Sequence, residues 1–259
     1  MNFTEGPLSR EKLRDLRSLD STKIRKRKRL CIVEGSRSLE EAMRTGKLLY
    51  LVESDEGKTR PDLSVKGVGV SEVPCYTLAH SNFMEVSDVK SGTRLLGVAS
   101  IPDEADVGAL RITQGRSVLF YLDGIQEPGN VGALIRTAWA LGLQGVLLGD
   151  GTADPYSSKG VRASAGGVFH LPLYTGVGRS EIENLIESGY SVFIAQKDGS
   201  DYRSIKYPER LILALGNEGA GPSKWLLQCG KVAGIPLAEG VDSLNVVVAG
   251  GIIASRMME

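Results

Sequence analysis

From position 117 onward the chain alternates short, uninterrupted apolar runs with segments of helical periodicity, and few folds satisfy that rhythm. The runs are "SVLFYLD", "GVLLGD", "HLPLY", "SVFIAQ", "LILALGN" and "VAGIPL". Between and after them stand "NVGALIRTAWALG", "SKGVRASAGGVF", "SEIENLIESG", "SKWLLQCG" and, last, "SLNVVVAGGIIASRMM". A strand that is apolar at every position has no face to show to water, so the pattern predicts a parallel sheet covered on both sides by helices. In such sheets ligands bind at the carboxyl ends of the strands, which directs attention to the loops there.

The first hundred residues read differently. A basic helical stretch runs to about Arg29, followed by a strand in "LCIV", a helix in "SRSLEEAMRTG" and a strand in "LLYLVES". Further alternation in "VKGVGVSEVPCYTL" and "RLLGVASIP" flanks a polar helix around "HSNFMEVSDV". The expectation is a compact α/β domain over 1–102, a linker over 103–116 where "PDEADVGALRITQGR" has little apolar content, and a second domain over 117–259. Acidic and basic residues, 31 of each, cancel overall. The basic stretch from Arg10 to Arg29 nevertheless carries ten Lys/Arg against three acids, and it reads equally as a solvated helix face or a nucleic-acid patch.

Three loops at expected strand ends stand out. "DGIQEPGNVGALIR" passes Pro128 and two glycines and enters a helix. "LGNEGAGPS", 215–223, holds three glycines with Asn217 and Glu218 between the first two, so backbone groups can approach a ligand directly. "IPLAEGVDSLNVVVAGG", 235–251, places Ser243 where an N-cap belongs, with Asn245 as a further cap candidate, ahead of a run with no charge until Arg256. A helix so apolar is expected to be buried or to form a subunit interface.

Other chemistries fare worse. The cysteines Cys31, Cys75 and Cys229 and the histidines His80 and His170 are scattered, which argues against a structural zinc site or a disulfide frame. No phosphate-binding G-x-x-x-x-G-K-[ST] and no G-x-S-x-G occurs. The strand-loop-helix-strand outline around Gly129 suggests a dinucleotide site, but the loop reads G-N-V-G rather than G-x-G-x-x-G. The N-terminus lacks the apolar core of a signal peptide, and no run of about 18 apolar residues occurs, so a cytoplasmic protein with no membrane association is expected.

Together, "PGNVGALIRTA", "LALGNEGAGPS" and "IPLAEGVDSLNVVVAGGI", in this order, resemble the SpoU (TrmH) family of RNA 2′-O-ribose methyltransferases, of the SPOUT class. "SKGVRASAGGVFHLPL" is similar to the segment the family carries after its first motif, and the likeness extends over 117–258. The N-terminal "RKRKRLCIVEGSRSLEEAMRTG", with Glu34, Gly35 and Arg37, and "TRLLGVASIP" resemble the smaller RNA-binding domain of the ribosomal RNA members. The resemblance implies an α/β fold whose C-terminal parallel-sheet domain holds a deep trefoil knot, against the general rarity of knots. It also implies a homodimer and S-adenosylmethionine as methyl donor, with no metal. The implied substrate is RNA, ribosomal rather than transfer RNA because of the extra domain. A tRNA 2′-O-methyltransferase of the same family and a non-catalytic RNA-binding protein of the same fold are the alternatives.

Carried over residue by residue, the resemblance assigns Asn130, Arg136, Glu218, Ser243 and Asn245 to catalysis. It assigns Gly216, Ile235, Leu237 and Leu244 to the donor, held mainly through backbone groups. It turns Arg25, Lys26, Arg27, Lys28, Arg29 and Arg37 towards RNA. A guanidinium hardly serves as a free base. Arg136 is therefore expected to bind the phosphate beside the target ribose and to stabilise the developing alkoxide, with Asn130 and Glu218 orienting both it and the hydroxyl. Ser243 and Asn245 are expected to shape the site around the methyl group.

Overall fold

The computed structural model describes residues 4–56, 73–88, 94–111 and 115–259. Residues 65–72 of the expected alternation and 112–114 of the expected linker lie outside them. The chain forms two compact units, the first comprising Met1–Asp103 with Asp154–His170, the second Glu104–Ala153 with Leu171–Glu259.

The first unit contains β1 (Thr4–Pro7), α1 (Arg10–Ser18), α2 (Thr22–Lys28), β2 (Leu30–Glu34), α3 (Ser36–Arg44), β3 (Leu48–Ser54), β4 (Cys75–Leu78), α4 (His80–Val86) and β5 (Leu95–Ser100). Its strands lie in the order β1-β4-β3-β5-β2, with β5 antiparallel to both its neighbours. The edge strand β1 was not anticipated. The basic stretch divides into two helices: Ser9 caps the first, accepting from the Lys12 backbone N–H at 3.2 Å, and Arg29 ends the second with a left-handed φ of 54°. Leu16, Phe83, Val52, Leu96 and Val98 are buried together in the core.

Two buried carboxylates explain why Asp154–His170 packs here although the sequence groups it with the C-terminal domain. Glu34 accepts from Ser158 Oγ at 2.8 Å, Arg162 Nη1 at 3.1 Å and Ser87 Oγ at 2.5 Å. Glu41 is bonded by Arg37 Nη2 at 2.9 Å, Arg44 Nη1 at 3.0 Å and His170 Nε2 at 2.8 Å. A carboxylate with no exposure is costly unless several donors meet it, and the 154–170 segment supplies donors to both. In this segment α7 (Ser158–Ala163) stops short of the single long helix expected. Ala165 and Gly166 have positive φ, and a 3₁₀ turn, Gly167–Phe169, follows.

The second unit begins inside the expected linker. There α5 (Val107–Leu110) is capped by Asp106, and Leu110 is buried in the second unit's core. The remaining elements are β6 (Ser117–Asp123), α6 (Pro128–Leu141), β7 (Gly145–Leu148), β8 (Leu173–Tyr174), α8 (Arg179–Glu187), β9 (Ser191–Asp201), β10 (Arg210–Gly216), α9 (Lys224–Cys229), β11 (Lys231–Gly234) and α10 (Val246–Met257). The six strands run in the order β11-β9-β10-β6-β7-β8 with every pairing parallel, the arrangement expected from the apolar runs. Central β6 is buried at all seven positions and pairs with β10 residue for residue, Ser117 with Arg210 through Asp123 with Gly216.

Alternation along the strands separates two faces. Leu119 and Tyr121 of β6 and Ile212 and Ala214 of β10 join the cluster formed with Ile182, Leu185 and Leu226 of α8 and α9. The opposite face is covered by α6 and α10. There Gly250 sits so close that a Cβ would meet Leu134 Cδ2 and Leu215 Cδ1, each at 3.0 Å. Each fully buried Leu, Ile or Phe of these layers contributes about 2 kcal/mol.

Candidate active site

The parallel sheet sends the loops after β6 and β10 out side by side at its carboxyl edge, and the loop after β11 leaves the same edge. The first loop leads into α6 with Pro128 at its start and the Glu127 carboxylate accepting from the Gly129 N–H at 3.1 Å. The second is built around Asn217, whose Oδ1 accepts from the N–H groups of Gly219 at 2.9 Å and Ala220 at 2.8 Å. Its Nδ2 donates to the Gly124 carbonyl at 2.8 Å, which ties the second loop to the first. A further tie comes from the end of β6. Asp123, 7% exposed, accepts from the Ser223 N–H at 2.6 Å and from its hydroxyl at 2.9 Å.

This framework fixes Glu218 opposite α6. Asn130, in the first turn of that helix, donates through Nδ2 to Glu218 Oε1 at 2.7 Å across 88 positions of sequence. Below Glu218 the chain doubles back: a methyl group at Gly216 would overlap the Pro222 nitrogen and stand 2.7 Å from the Gly221 carbonyl carbon. Only a glycine leaves the strand end and the returning loop room to touch.

The loops after β10 and β11 line a cavity of about 400 Å³ together with part of β9 and α10. Gly216, Ile235, Leu237 and Leu244 all line it, as do Glu218, Ser243 and Asn245. Seven of the nine residues expected in catalysis or donor binding therefore meet in one place. Asn130 is attached to that place through Glu218. Arg136 is exposed on α6, does not line the cavity, and makes no hydrogen bond or ion pair among the described residues.

One local expectation is corrected. Ser243 does not cap the last helix; Asn245 does, its Oδ1 accepting from the Val247 N–H at 2.9 Å. Asn245 stands immediately before the first helical residue, where its side chain reaches the second free N–H, and this leaves the Ser243 hydroxyl uncommitted at the cavity wall. Sequence reasoning also passed over Asp123, Asn217 and Lys197. Asn217 had a signal: an Asn between a strand end and two glycines is the pattern of a side chain closing its own turn.

The six basic residues expected to meet RNA divide by their internal partners. Lys26 and Arg27 are exposed without a partner among the described residues. Lys28 pairs with Asp15 at 2.6 Å, Arg29 reaches the Ile101 and Pro102 carbonyls and Asp103, and Arg37 bridges to Glu41. Arg25 is buried: its guanidinium bonds Asp154 at 2.7 Å, the Leu19 and Asp20 carbonyls and Thr22 Oγ1, so it holds the first unit together instead of presenting charge. Replacing Lys26 and Arg27 together with Ala should weaken RNA binding and lower the slope of log K against log salt by about 1.5. Arg25→Ala should instead destabilise the fold by about 3–5 kcal/mol. Salt-dependent RNA binding and denaturant melts separate the two, and equal loss of RNA affinity without a stability change in Arg25→Ala contradicts this division.

Among the described residues no group of three or more His, Cys, Asp or Glu is placed to hold a metal ion, and no helix is long and apolar enough to cross a membrane. Burial, and next the charge of Asp154, push the Cys31 thiol up to about 12, so it is no nucleophile.

Residues 117–255, more than half the chain, match the family model described as "SpoU rRNA Methylase family". The chain belongs to the SpoU rRNA methylase family. One relative is the 23S rRNA (guanosine(2553)-2′-O)-methyltransferase RlmP of Bacillus subtilis, 32% identical over 250 residues that cover 95% of this chain and 96% of the relative. Another is the 23S rRNA (adenosine(1067)-2′-O)-methyltransferase of Streptomyces azureus, 28% identical over 91% of this chain and 89% of that one. Among solved structures, the AdoMet-bound rRNA methyltransferase from Sinorhizobium meliloti is 27% identical. It superposes with a TM-score of 0.81 over 99% of this chain and 98% of its own. Family membership agrees with the convergence of the three loops, because those loops carry the residues by which the sequence resembles the family.

Proposed function

We propose that this protein transfers the methyl group of S-adenosylmethionine to a ribose 2′-hydroxyl in 23S ribosomal RNA. The observation that carries the reading is the meeting of the second and third loops on one cavity, with Asn130 of the first loop bonded to Glu218 at its margin. Two relatives matched over most of their length, named for 2′-O-methylation of different nucleotides of 23S rRNA, share the ribose acceptor and support it further.

The cavity suits the donor. Its volume lies within the ~300–1,000 Å³ of small-molecule sites. Leu215, Ile235, Leu237 and Ile253 give apolar walls for a flat base, and the glycine-rich turn brings backbone groups within reach. Bound there, S-adenosylmethionine supplies an electrophilic methyl group. The protein's own task is to position the ribose and ease removal of the hydroxyl proton. Glu218 and Asn130 orient the hydroxyl, Ser243 and Asn245 border the transfer path, and Arg136, which has no internal partner among the described residues, holds the adjacent phosphate.

The same reading includes a homodimer. The polypeptide leaves an apolar surface around α10 uncovered, with Val248 49% exposed and Val241 41% exposed, and a second copy would cover it. It also includes a knot threaded through the second and third loops. That knot is what the resemblance of these two loops to the family implies. The first unit binds RNA through the exposed side of α1 and α2, and work on ribosomal RNA places the protein in the cytoplasm.

The test is incorporation. Incubated with methyl-labelled S-adenosylmethionine and unmodified 23S rRNA, 16S rRNA and tRNA in separate reactions, the protein should label 23S rRNA. Label confined to tRNA overturns the substrate class.

A further inference from the structure

Among the residues lining the cavity there is one cation, Lys197, and one carboxylate, Glu218. Glu218 is engaged by Asn130 at one margin. Lys197 stands on a bulge of β9. Between Ile194 and Ser200 the register on β9 advances six residues, while β11 advances one, from Val232 to Ala233. The segment thrown out by this bulge carries Ala195, Gln196 and Lys197 to the cavity wall.

The bulge is rigidly placed. A Cβ on Gly199 would stand 2.7 Å from the Gly234 nitrogen, and one on Gly234 would stand 2.8 Å from the Lys197 carbonyl oxygen. Two backbones packed without room for a methyl group fix the Lys197 backbone against β11. Its side chain is held loosely by comparison. Lys197 Nζ is 3.3 Å from the Val241 carbonyl and 3.7 Å from Asp242 Oδ1, an aspartate fully exposed to water, and the lysine side chain is itself 49% exposed. Contacts of that kind hold an ammonium weakly, leaving it available to a better acceptor.

We infer that Lys197 is a specificity-determining residue that recognises the α-carboxylate of the methyl donor's amino-acid tail. The inference rests on the reading of the cavity as the donor site. An ammonium on a fixed backbone at the wall of a largely apolar cavity offers a carboxylate a charge-assisted hydrogen bond, which the solvent-exposed Asp242 cannot match. No other described residue lining the cavity carries positive charge. The adenosine part is served by apolar walls and backbone, so Lys197 discriminates between ligands that carry the amino-acid tail and ligands that lack it.

The experiment is calorimetric titration of the parent protein, Lys197→Met and Lys197→Arg with two ligands, S-adenosylhomocysteine and 5′-methylthioadenosine. Both carry the adenosine thioether, and only the first has the amino-acid tail. Lys197→Met should bind S-adenosylhomocysteine about tenfold more weakly and 5′-methylthioadenosine within about twofold of the parent, and Lys197→Arg should restore most of the difference. Equal losses for both ligands would mean that Lys197 serves only to hold the third loop, and no loss for either would mean it touches neither; each result overturns the inference. Failure of the parent protein to bind either ligand overturns the reading of the cavity itself, and the inference with it.

Discussion

Arg136→Ala is expected to lower the rate of methyl transfer about 10²–10³-fold while leaving the dissociation constant for S-adenosylmethionine within about twofold of the parent. The size follows from the loss of a single charged donor aimed at charge that develops in the transition state. The separation of the two effects follows from placement. Arg136 is exposed on α6 and absent from the cavity wall, so nothing about the donor's contacts should change. It has no internal hydrogen bond to lose among the described residues, and the fold should melt as before. Single-turnover kinetics with a saturating donor, together with a donor titration, checks both halves. A variant methylating RNA at the parent rate would remove Arg136 from the chemistry, and a large loss of donor affinity would place it in the cavity instead.

The second large effect is expected at Gly216. Alanine there forces its methyl into the Pro222 nitrogen and the Gly221 carbonyl carbon, which are backbone atoms that cannot rotate away. Overpacking of this kind costs ~1–3 kcal/mol. Because the strain falls on the loop that forms the cavity floor and carries Glu218, donor affinity should fall on the order of 10- to 100-fold. Gly219 provides the control within the same loop. A Cβ there would meet only Asn217 Oδ1, at an ordinary 3.6 Å, so Gly219→Ala should bind the donor nearly as the parent does. Comparable losses in the two variants would mean that loop flexibility matters, not the close approach at Gly216.

The contrast between these glycines marks how far the sequence could be read. Three glycines in "LGNEGAGPS" announce a turn where backbone meets ligand, but which of them has a neighbour pressed against it depends on where Pro222 returns. The parallel sheet was legible because strands such as β6 are buried on both faces and so are apolar at successive positions, here Val118 to Leu122. The start of α10 was legible only to within two residues, since Ser243 and Asn245 are both good caps and the apolar run follows both.

Charged residues were the hardest to read. Arg25 sits in a basic run indistinguishable from its neighbours Lys26 and Arg27, and what buries it is Asp154, 129 positions away. Glu34 and Glu41 are buried for a similar reason, since their donors come from 158–170 as well as from their own surroundings. Lys197 looks like an ordinary polar strand end until the register slip against β11 turns it to the cavity. Periodicity reports which face of an element is apolar; it carries no information on partners supplied by distant sequence.

The central claim is that the acceptor is a ribose hydroxyl, and alkaline hydrolysis of the labelled RNA tests it most directly. Alkali cleaves RNA by attack of the 2′-oxygen on the adjacent phosphate, and a methyl group on that oxygen blocks cleavage at its own linkage. After labelling of 23S rRNA by this protein, the label should appear in a single alkali-resistant dinucleotide. Label recovered in ordinary mononucleotides would mean that a base had been methylated, and would contradict the account.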